Sequence, residues 1–275
     1  MGIKMIVTDL DGTLLNAADE ISKQDKDALL LAKQQGIMVI IATGRPLLES
    51  QEYIDAIESG PYFIGMNGCQ TLDLSAEKAV AESFLSSATV QDVYRILNQT
   101  QVFYEVYTKR EILAPIQRKN KLCYAGLNEH YLKNAEKMVH FVENIEHCIE
   151  NVHKFFIPAD SEELAGTLYE KFYAREDVSV FNSLGNFIEV VPKGCDKAIG
   201  LHNLCQSSGV RPEEILAIGD SENDLGMLSY AGVGVAMGNA KVEVKNIARW
   251  IVSANDRNGV AEAVQIALRI NAYGQ

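Results

Sequence analysis

Three apolar runs in this chain each end on a polar side chain that can do chemistry. Ile3–Thr8 gives way to Asp9, Ile37–Ala42 to Thr43, and Ile215–Gly219 to Asp220. Runs of this length and texture read as strands buried on both faces. In an open parallel sheet, ligands bind beyond the carboxyl ends of the strands. The three runs therefore aim a carboxylate, a hydroxyl and a second carboxylate at one crevice. The first of these ends reads Asp9-Leu10-Asp11-Gly12-Thr13. Its paired carboxylates suit a hard, oxygen-seeking cation such as Mg²⁺, and one of them could attack phosphorus to form an aspartyl-phosphate. Gly12 permits a tight turn. The plainer alternatives are a solvated turn or a piece of a calcium loop. Glu20 does stand at the twelfth position from Asp9, but the glycine is misplaced for such a loop and no helix precedes it.

The other ends are read in the same way. At Thr43-Gly44-Arg45 a hydroxyl and backbone amides at a helix start can hold phosphate oxygens, although Thr43 could equally be a helix cap. Gly219-Asp220-Ser221-Glu222-Asn223-Asp224 carries more oxygen-bearing side chains than capping needs. Asp220 and Asp224 can both face a metal if a helix starts between them, and the Asn223 amide can donate to a phosphate oxygen. Lys197, in Pro192-Lys193-Gly194-Cys195-Asp196-Lys197, opens a helix, where its charge opposes the dipole. A facing anion makes sense of that placement; solvent exposure is the ordinary alternative. No G-x-x-x-x-G-K-[ST] loop is present, and the glycines of Gly232–Gly238 lead into a strand, so neither nucleotide motif is supported. His147, Cys148 and His153 lack zinc spacing and read as packing residues.

These side chains need a scaffold, and the two ends of the chain supply one. Strands over Ile3–Asp9, Ile37–Thr43 and Pro61–Met66 alternate with helices over Ser22–Gln35 and Pro46–Glu58. Ser22 reads as an N-cap, Gly36 as a C-cap, and Pro46 as a first-turn residue. Near the C-terminus, helices over Asp196–Ser208, Asn223–Ala231, Ala240–Ala248 and Gly259–Ile270 alternate with strands over Glu214–Gly219, Gly232–Met237 and Trp250–Ser253. Such alternation predicts an α/β fold, doubly wound around a mostly parallel Rossmann-like sheet. The middle of the chain is more aromatic and alternates polar with apolar, as in Val102–Tyr107, His153–Ile157 and Val178–Phe181. It reads as an inserted α+β domain with helices over Ala88–Gln101, Glu129–Val142 and Ser161–Ala174. The expected boundaries are 1–80 and 188–275 for the core and 81–187 for the insertion.

Composition narrows the partners. A length of 275 residues allows two domains, and 47% hydrophobic with 23% charged residues is ordinary for a soluble protein. The formal charge of −12 argues against nucleic-acid and anionic-membrane partners, which need a basic face. No apolar run reaches membrane-helix length, and the N-terminal run is interrupted by Asp9, so no signal peptide is expected. Ile6 stands where a myristoylation signal wants Ser or Thr. Five dispersed cysteines without a C-x-x-C predict reduced thiols and a cytoplasmic setting.

Asp9-Leu-Asp-Gly-Thr, Thr43-Gly-Arg, Lys197 and Gly219-Asp-x-x-x-Asp224, in that order, resemble the four motifs of the haloacid dehalogenase-like (HAD) hydrolases. With Gly232-Val-Gly-Val-Ala-Met-Gly-Asn-Ala240, the chain looks like the Cof-type branch (class IIB) along essentially its whole length. A single helix and strand fill the stretch from Thr13 to Thr43, so the insertion falls after the second motif, which resembles the large C2-type cap. The resemblance implies a Mg²⁺-dependent phosphatase of small phosphorylated metabolites, with sugar phosphates the leading class. It makes Asp9 the nucleophile, and Asp11 the acid that protonates the leaving oxygen and then the base that activates water. Mg²⁺ would be held by Asp9, Asp220 and the Asp11 backbone carbonyl, with Asp224 in support. Thr43, the Leu10 and Gly44 amides, Asn223 and Lys197 would hold the phosphoryl group. Arg45, Asn67 and the cap stretch Arg118–Tyr124 are candidates for selecting the leaving group. A phosphomutase, or a non-catalytic binding protein on the same scaffold, are the alternatives. Oligomeric state is not legible.

Overall fold

Parallel strands buried on both faces need a helical crossover between each pair, and the first stretch of the chain provides them. It runs β1 (Met5–Thr8), α1 (Lys23–Gln34), β2 (Met38–Ala42), α2 (Leu47–Ile57), β3 (Tyr62–Gly65), β4 (Gln70–Asp73) and β5 (Lys78–Glu82). The computed structural model describes residues 2–124, 137–147, 150–183 and 186–273. Ser22 caps α1 as expected, its hydroxyl accepting from the Asp25 amide at 3.0 Å. Pro46 stands one residue earlier than expected, as the cap of α2 rather than in its first turn.

The described residues form two compact units, Met1–Glu82 with Cys195–Gln275, and Ser83–Gly194. The second unit holds α3 (Ser87–Thr100), β6 (Glu105–Thr108), β7 (Ile112–Pro115), β8 (Val139–Val142), β9 (Val152–Pro158), α4 (Glu162–Tyr173), β10 (Val178–Ser183) and β11 (Phe187–Pro192). The chain then returns to the first unit with α5 (Lys197–Ser208), β12 (Ile215–Gly219), α6 (Leu225–Tyr230), β13 (Val233–Ala236), α7 (Val242–Ile247), β14 (Trp250–Ile251) and α8 (Gly259–Tyr273).

The first unit is built on one sheet in the order β14-β13-β12-β1-β2-β3-β4-β5. Its pairings are parallel from β14 to β3 and antiparallel from β3 to β5. From β1 the chain moves through β2 to β3 in one direction, and from β12 through β13 to β14 in the other. Right-handed crossovers then put the two sets of helices on opposite faces, which makes the sheet doubly wound. β1, β12 and β13 are buried at every position, as strands covered on both sides must be. The reversal between β1 and β12 is the topological switch point where such sheets bind ligands.

The β4–β5 hairpin was not expected from the sequence. Its strands are only partly buried and are bounded by polar residues, so neither carries the fully buried apolar run that marks the central strands.

The second unit has a six-stranded sheet, β10-β11-β9-β6-β7-β8, antiparallel except for β7 with β8. Val90, Val93 and Leu97 of α3, with Leu168 and Phe172 of α4, form one apolar core with Tyr104, Val106, Phe155, Ile157 and Val190 from alternate sheet positions. Glu105, Tyr107, Lys154, Phe156 and Glu189 take the intervening positions and so belong to the opposite face. The helix expected over Glu129–Val142 is corrected at its end: Val139–Val142 is β8, in parallel register with Ile112–Pro115. Pairing with a neighbouring strand overrides local helical preference there. Residues 129–136 of that expectation lie outside the described residues.

Candidate active site

Strand register brings the predicted ends together. Thr8 pairs with Ile218 of β12 on one side and Ile41 of β2 on the other. Asp9 is therefore level with Gly219 and Ala42, and Asp220 and Thr43 stand one residue further along. Two glycines allow the loops to close in. A Cβ on Gly12, whose φ is +78°, would lie 2.5 Å from Asp220 Oδ2, and one on Gly219 would lie 2.4 Å from Asp224 Cγ. Both positions exclude a side chain for want of space.

Lys197 is fully buried at the first turn of α5, directly after the capping residue Asp196. Its ammonium donates to Asp9 Oδ1 and to Asp224 Oδ1, each at 2.6 Å. The other Asp224 oxygen accepts the backbone amides of Asp220 at 2.9 Å and Ser221 at 3.0 Å. A lysine at a helix N-terminus meets an unfavourable dipole; here two carboxylates more than offset it. Burial works against the ammonium, yet Asp224 and Asp9 outweigh it and hold the Lys197 pKa above its ordinary value.

The acids outnumber that one cation. Asp9, Asp220 and Asp224 each offer a carboxylate oxygen, and all three atoms lie within 4.8 Å of one another. Burial is the largest influence on Asp9 and raises its pKa well above the usual carboxylate range; Lys197 opposes this, and Asp224, Asp220 and Asp11 add to the rise. Burial and then Asp224 push Asp220 up to about 7, against the Thr13 hydroxyl and Lys197. Clustered carboxylates resist ionising together. A hard divalent cation with oxygen ligands relieves that repulsion, so this cluster fits a metal ion.

The remaining predicted residues surround this centre. Asp11 does not join the three clustered carboxylates. The Arg45 guanidinium grips it with two donors, Nε to Oδ2 at 2.9 Å and a second nitrogen to Oδ1. Thr43 is fully buried, and its hydroxyl accepts the Arg45 amide at 3.1 Å; this is a turn contact ahead of α2, whose cap position is Pro46. Leu10 is buried in the turn after Asp9, and Gly44 lies between Thr43 and Arg45. Asn223 donates its amide to Asn67 Oδ1 at 2.9 Å, while its own Oδ1 is buried without a hydrogen bond.

Two contributors were missed. Thr13 donates its hydroxyl to Asp220 Oδ1 at 2.9 Å, and Asn239 donates its amide to the Gly12 carbonyl at 2.7 Å. Thr13 belongs to the first quoted motif. Asn239 follows β13, so its place just beyond a strand end was the available signal.

The cap candidate Arg118 is corrected. It is buried, donates to the Leu97 carbonyl at 3.0 Å and to that of Val102, and stacks over Tyr104. These contacts tie the guanidinium to α3 and to the residues that lead into β6, within its own unit. His153 packs as expected: Nδ1 lies 2.9 Å from the Ser83 carbonyl and the ring rests 4.4 Å from Phe84. Cys148 lies outside the described residues.

Comparison with known proteins decides the family. Residues 6–264 match the model of the haloacid dehalogenase-like hydrolases. The chain belongs to that family. This HAD-like hydrolase is similar to a solved haloacid dehalogenase-like hydrolase of Bacteroides thetaiotaomicron, at 31% identity and a TM-score of 0.81, over 96% of this chain and 99% of that one. It is also similar to two Bacillus subtilis proteins. One is 5-amino-6-(5-phospho-D-ribitylamino)uracil phosphatase YcsE, 29% identical over 96% of this chain and 95% of the relative. The other is phosphatase YwpJ, 27% identical over 96% and 99%. The HAD-like hydrolase is thus an enzyme whose relatives include phosphatases along their full length. No helix among its described residues is long and apolar enough to cross a membrane.

Proposed function

We propose that this hydrolase is a Mg²⁺-dependent phosphatase of small phosphorylated metabolites, with sugar phosphates the leading class. The observation that carries the reading is the buried Lys197 held between Asp9 and Asp224, with Asp220 completing the carboxylate cluster. Metal would be held by Asp9, Asp220 and the Asp11 backbone carbonyl, with Asp224 fixing the loop beside them. When bound, it supplies positive charge that lets a carboxylate approach an anionic phosphate ester.

In this reading an Asp9 oxygen attacks phosphorus, and the bond from phosphorus to the leaving oxygen breaks. Asp11 gives that oxygen its proton. Asp11 then takes a proton from water as the water oxygen attacks the aspartyl-phosphate, releasing phosphate and restoring both carboxyl groups. Thr43, Asn223 and the amides of Leu10 and Gly44 hold the equatorial oxygens, and Lys197 balances their charge. Phosphoryl transfer depends on such positioning and charge stabilisation. The unit Ser83–Gly194 is proposed as the cap that excludes water and selects the leaving group. Support for a phosphorylated polyhydroxy substrate comes from the relative YcsE, named for a phosphoribityl compound. The proposed setting is the cytoplasm, in keeping with five dispersed cysteines that form no C-x-x-C.

A phosphate-release screen over sugar, sugar-alcohol and nucleoside phosphates tests this, ranked by kcat/KM. The expected result is Mg²⁺-dependent release that EDTA stops and Asp9→Asn abolishes without unfolding the protein. Full activity of Asp9→Asn would end the nucleophile assignment.

A further inference from the structure

We propose that Arg45 is a positioning residue for the reaction: it orients Asp11 for proton delivery to the leaving oxygen. This rests on the reading of Asp11 as the acid. Asp11 sits in the turn after β1, ahead of Gly12, and its side chain is 45% exposed. A carboxylate so placed has no packing to fix its rotamer. The Arg45 guanidinium supplies what packing does not, through two donors to the two Asp11 oxygens. A paired fork of this kind sets the plane and direction of a carboxylate, which a single contact does not.

Arg45 is itself held from several sides. Its side chain is 19% exposed and its guanidinium carbon lies 5.4 Å from the centre of the Tyr53 ring. Asp19 stands 3.9 Å from its outer nitrogen. Its backbone is fixed at both ends of the residue, the amide donating to Thr43 Oγ1 and the carbonyl accepting from Met66 at 3.1 Å. Thr43 directly follows β2 and Asp9 directly follows β1, so the fork ties the Asp11 loop to the neighbouring strand end. An exposed ion pair contributes little to stability; the value of this one is directional. Misplacing a catalytic group by an ångström can cost about a hundredfold in rate.

A leaving group that needs no proton separates this role from a structural one. An alkyl phosphate must expel an alkoxide unless Asp11 protonates it, whereas p-nitrophenyl phosphate expels a stabilised phenolate. The ratio of kcat/KM for the two substrates reports the transfer to Asp9 alone, because the later hydrolysis of the aspartyl-phosphate does not enter it. Arg45→Met is expected to lose about 10- to 100-fold in kcat/KM on a sugar phosphate and much less on p-nitrophenyl phosphate. Arg45→Lys keeps the charge without the fork, and should show the same asymmetry at reduced size; it also decides the matter if Arg45→Met fails to fold. Equal losses on both substrates, or no loss on either, overturn the proposal. Asp11→Asn is the control for the underlying reading. If it shows the asymmetry and the Arg45 variants do not, Arg45 is excluded while Asp11 stands as the acid. If Asp11→Asn lacks the asymmetry, the assignment of Asp11 fails first and the positioning role with it.

Discussion

Each unit of the molecule buries a lysine, and the two are treated differently. Lys197 lies between two carboxylates at 2.6 Å, with the carboxylate of Asp220 in the same cluster. Lys154, 3% exposed, has Glu189 at 3.4 Å and the rings of Tyr107 and Phe156 at 4.4 and 5.6 Å from its nitrogen. Removing an ammonium from water costs several kcal/mol unless partners compensate. Around Lys154, Glu189 and two π faces provide compensation, and the buried Glu105 on the same sheet face accepts from the Tyr107 hydroxyl at 2.8 Å. Around Lys197 there is a surplus of negative charge that a merely structural lysine does not need. The comparison teaches that burial of a charge does not mark a functional centre; an imbalance around it does.

The largest effect should come from removing the cation where the imbalance is greatest. Lys197→Met is expected to lower phosphate release roughly 10²- to 10³-fold. It should also destabilise the fold by about 3–5 kcal/mol in urea unfolding, because Asp9 and Asp224 stay buried without their partner. A second test uses the raised carboxyls. With Asp220 pushed up to about 7, the folded protein keeps a proton that the unfolded chain has lost above about pH 4. The stability due to this carboxyl is therefore greatest below pH 4 and falls as pH rises towards 7. Asp9, also raised, acts in the same sense. Melting curves at pH 5 and pH 8 should show this loss, and Mg²⁺ should reduce it at pH 8. A metal-independent loss would break the link between surplus charge and cation. Thr13→Val, which removes the hydroxyl bound to Asp220, should weaken Mg²⁺ about tenfold by titration calorimetry. The smallest effect belongs to the other lysine. Lys154→Met with Glu189→Leu removes this ion pair, and should change stability by only about 1 kcal/mol while leaving kcat/KM on p-nitrophenyl phosphate unchanged. A large loss of turnover there would erase the contrast.

The parts of this arrangement that could be read from the sequence are those with strong local signals. β1, β2 and β12 are covered on both faces, so each is an unbroken apolar run, and the polar residue that ends each run marks the strand end. Asp9, Thr43 and Asp220 follow from that directly. Lys197 was harder, since a lysine in a helical first turn is ordinary until the acids it meets are known. Pairings that depend on distant partners were not legible. Nothing local in Gln70–Asp73 or Lys78–Glu82 announces a hairpin, and Val139–Val142 continues an apparent helical pattern until β7 claims it as a strand. The Arg45 grip on Asp11 joins residues 34 apart, and only the adjacency of β1 and β2 brings them together. Arg118 illustrates the opposite error, a conspicuous cation whose partners turn out to be carbonyls of its own unit.

The contact between Lys197 and Asp9 spans 188 residues of chain, which has a consequence during synthesis. At about 5–20 residues per second, the ribosome adds Lys197 roughly 10 to 40 s after Asp9. Through that interval the nascent chain carries the acidic turn without its counterion, and β1 lacks its neighbour β12. The whole of Ser83–Gly194 is made first. Ser83–Gly194 is thus complete before the unit whose two segments flank it in sequence, and the first strands must wait, with one edge unpaired, for the segment that completes both their sheet and their charge balance.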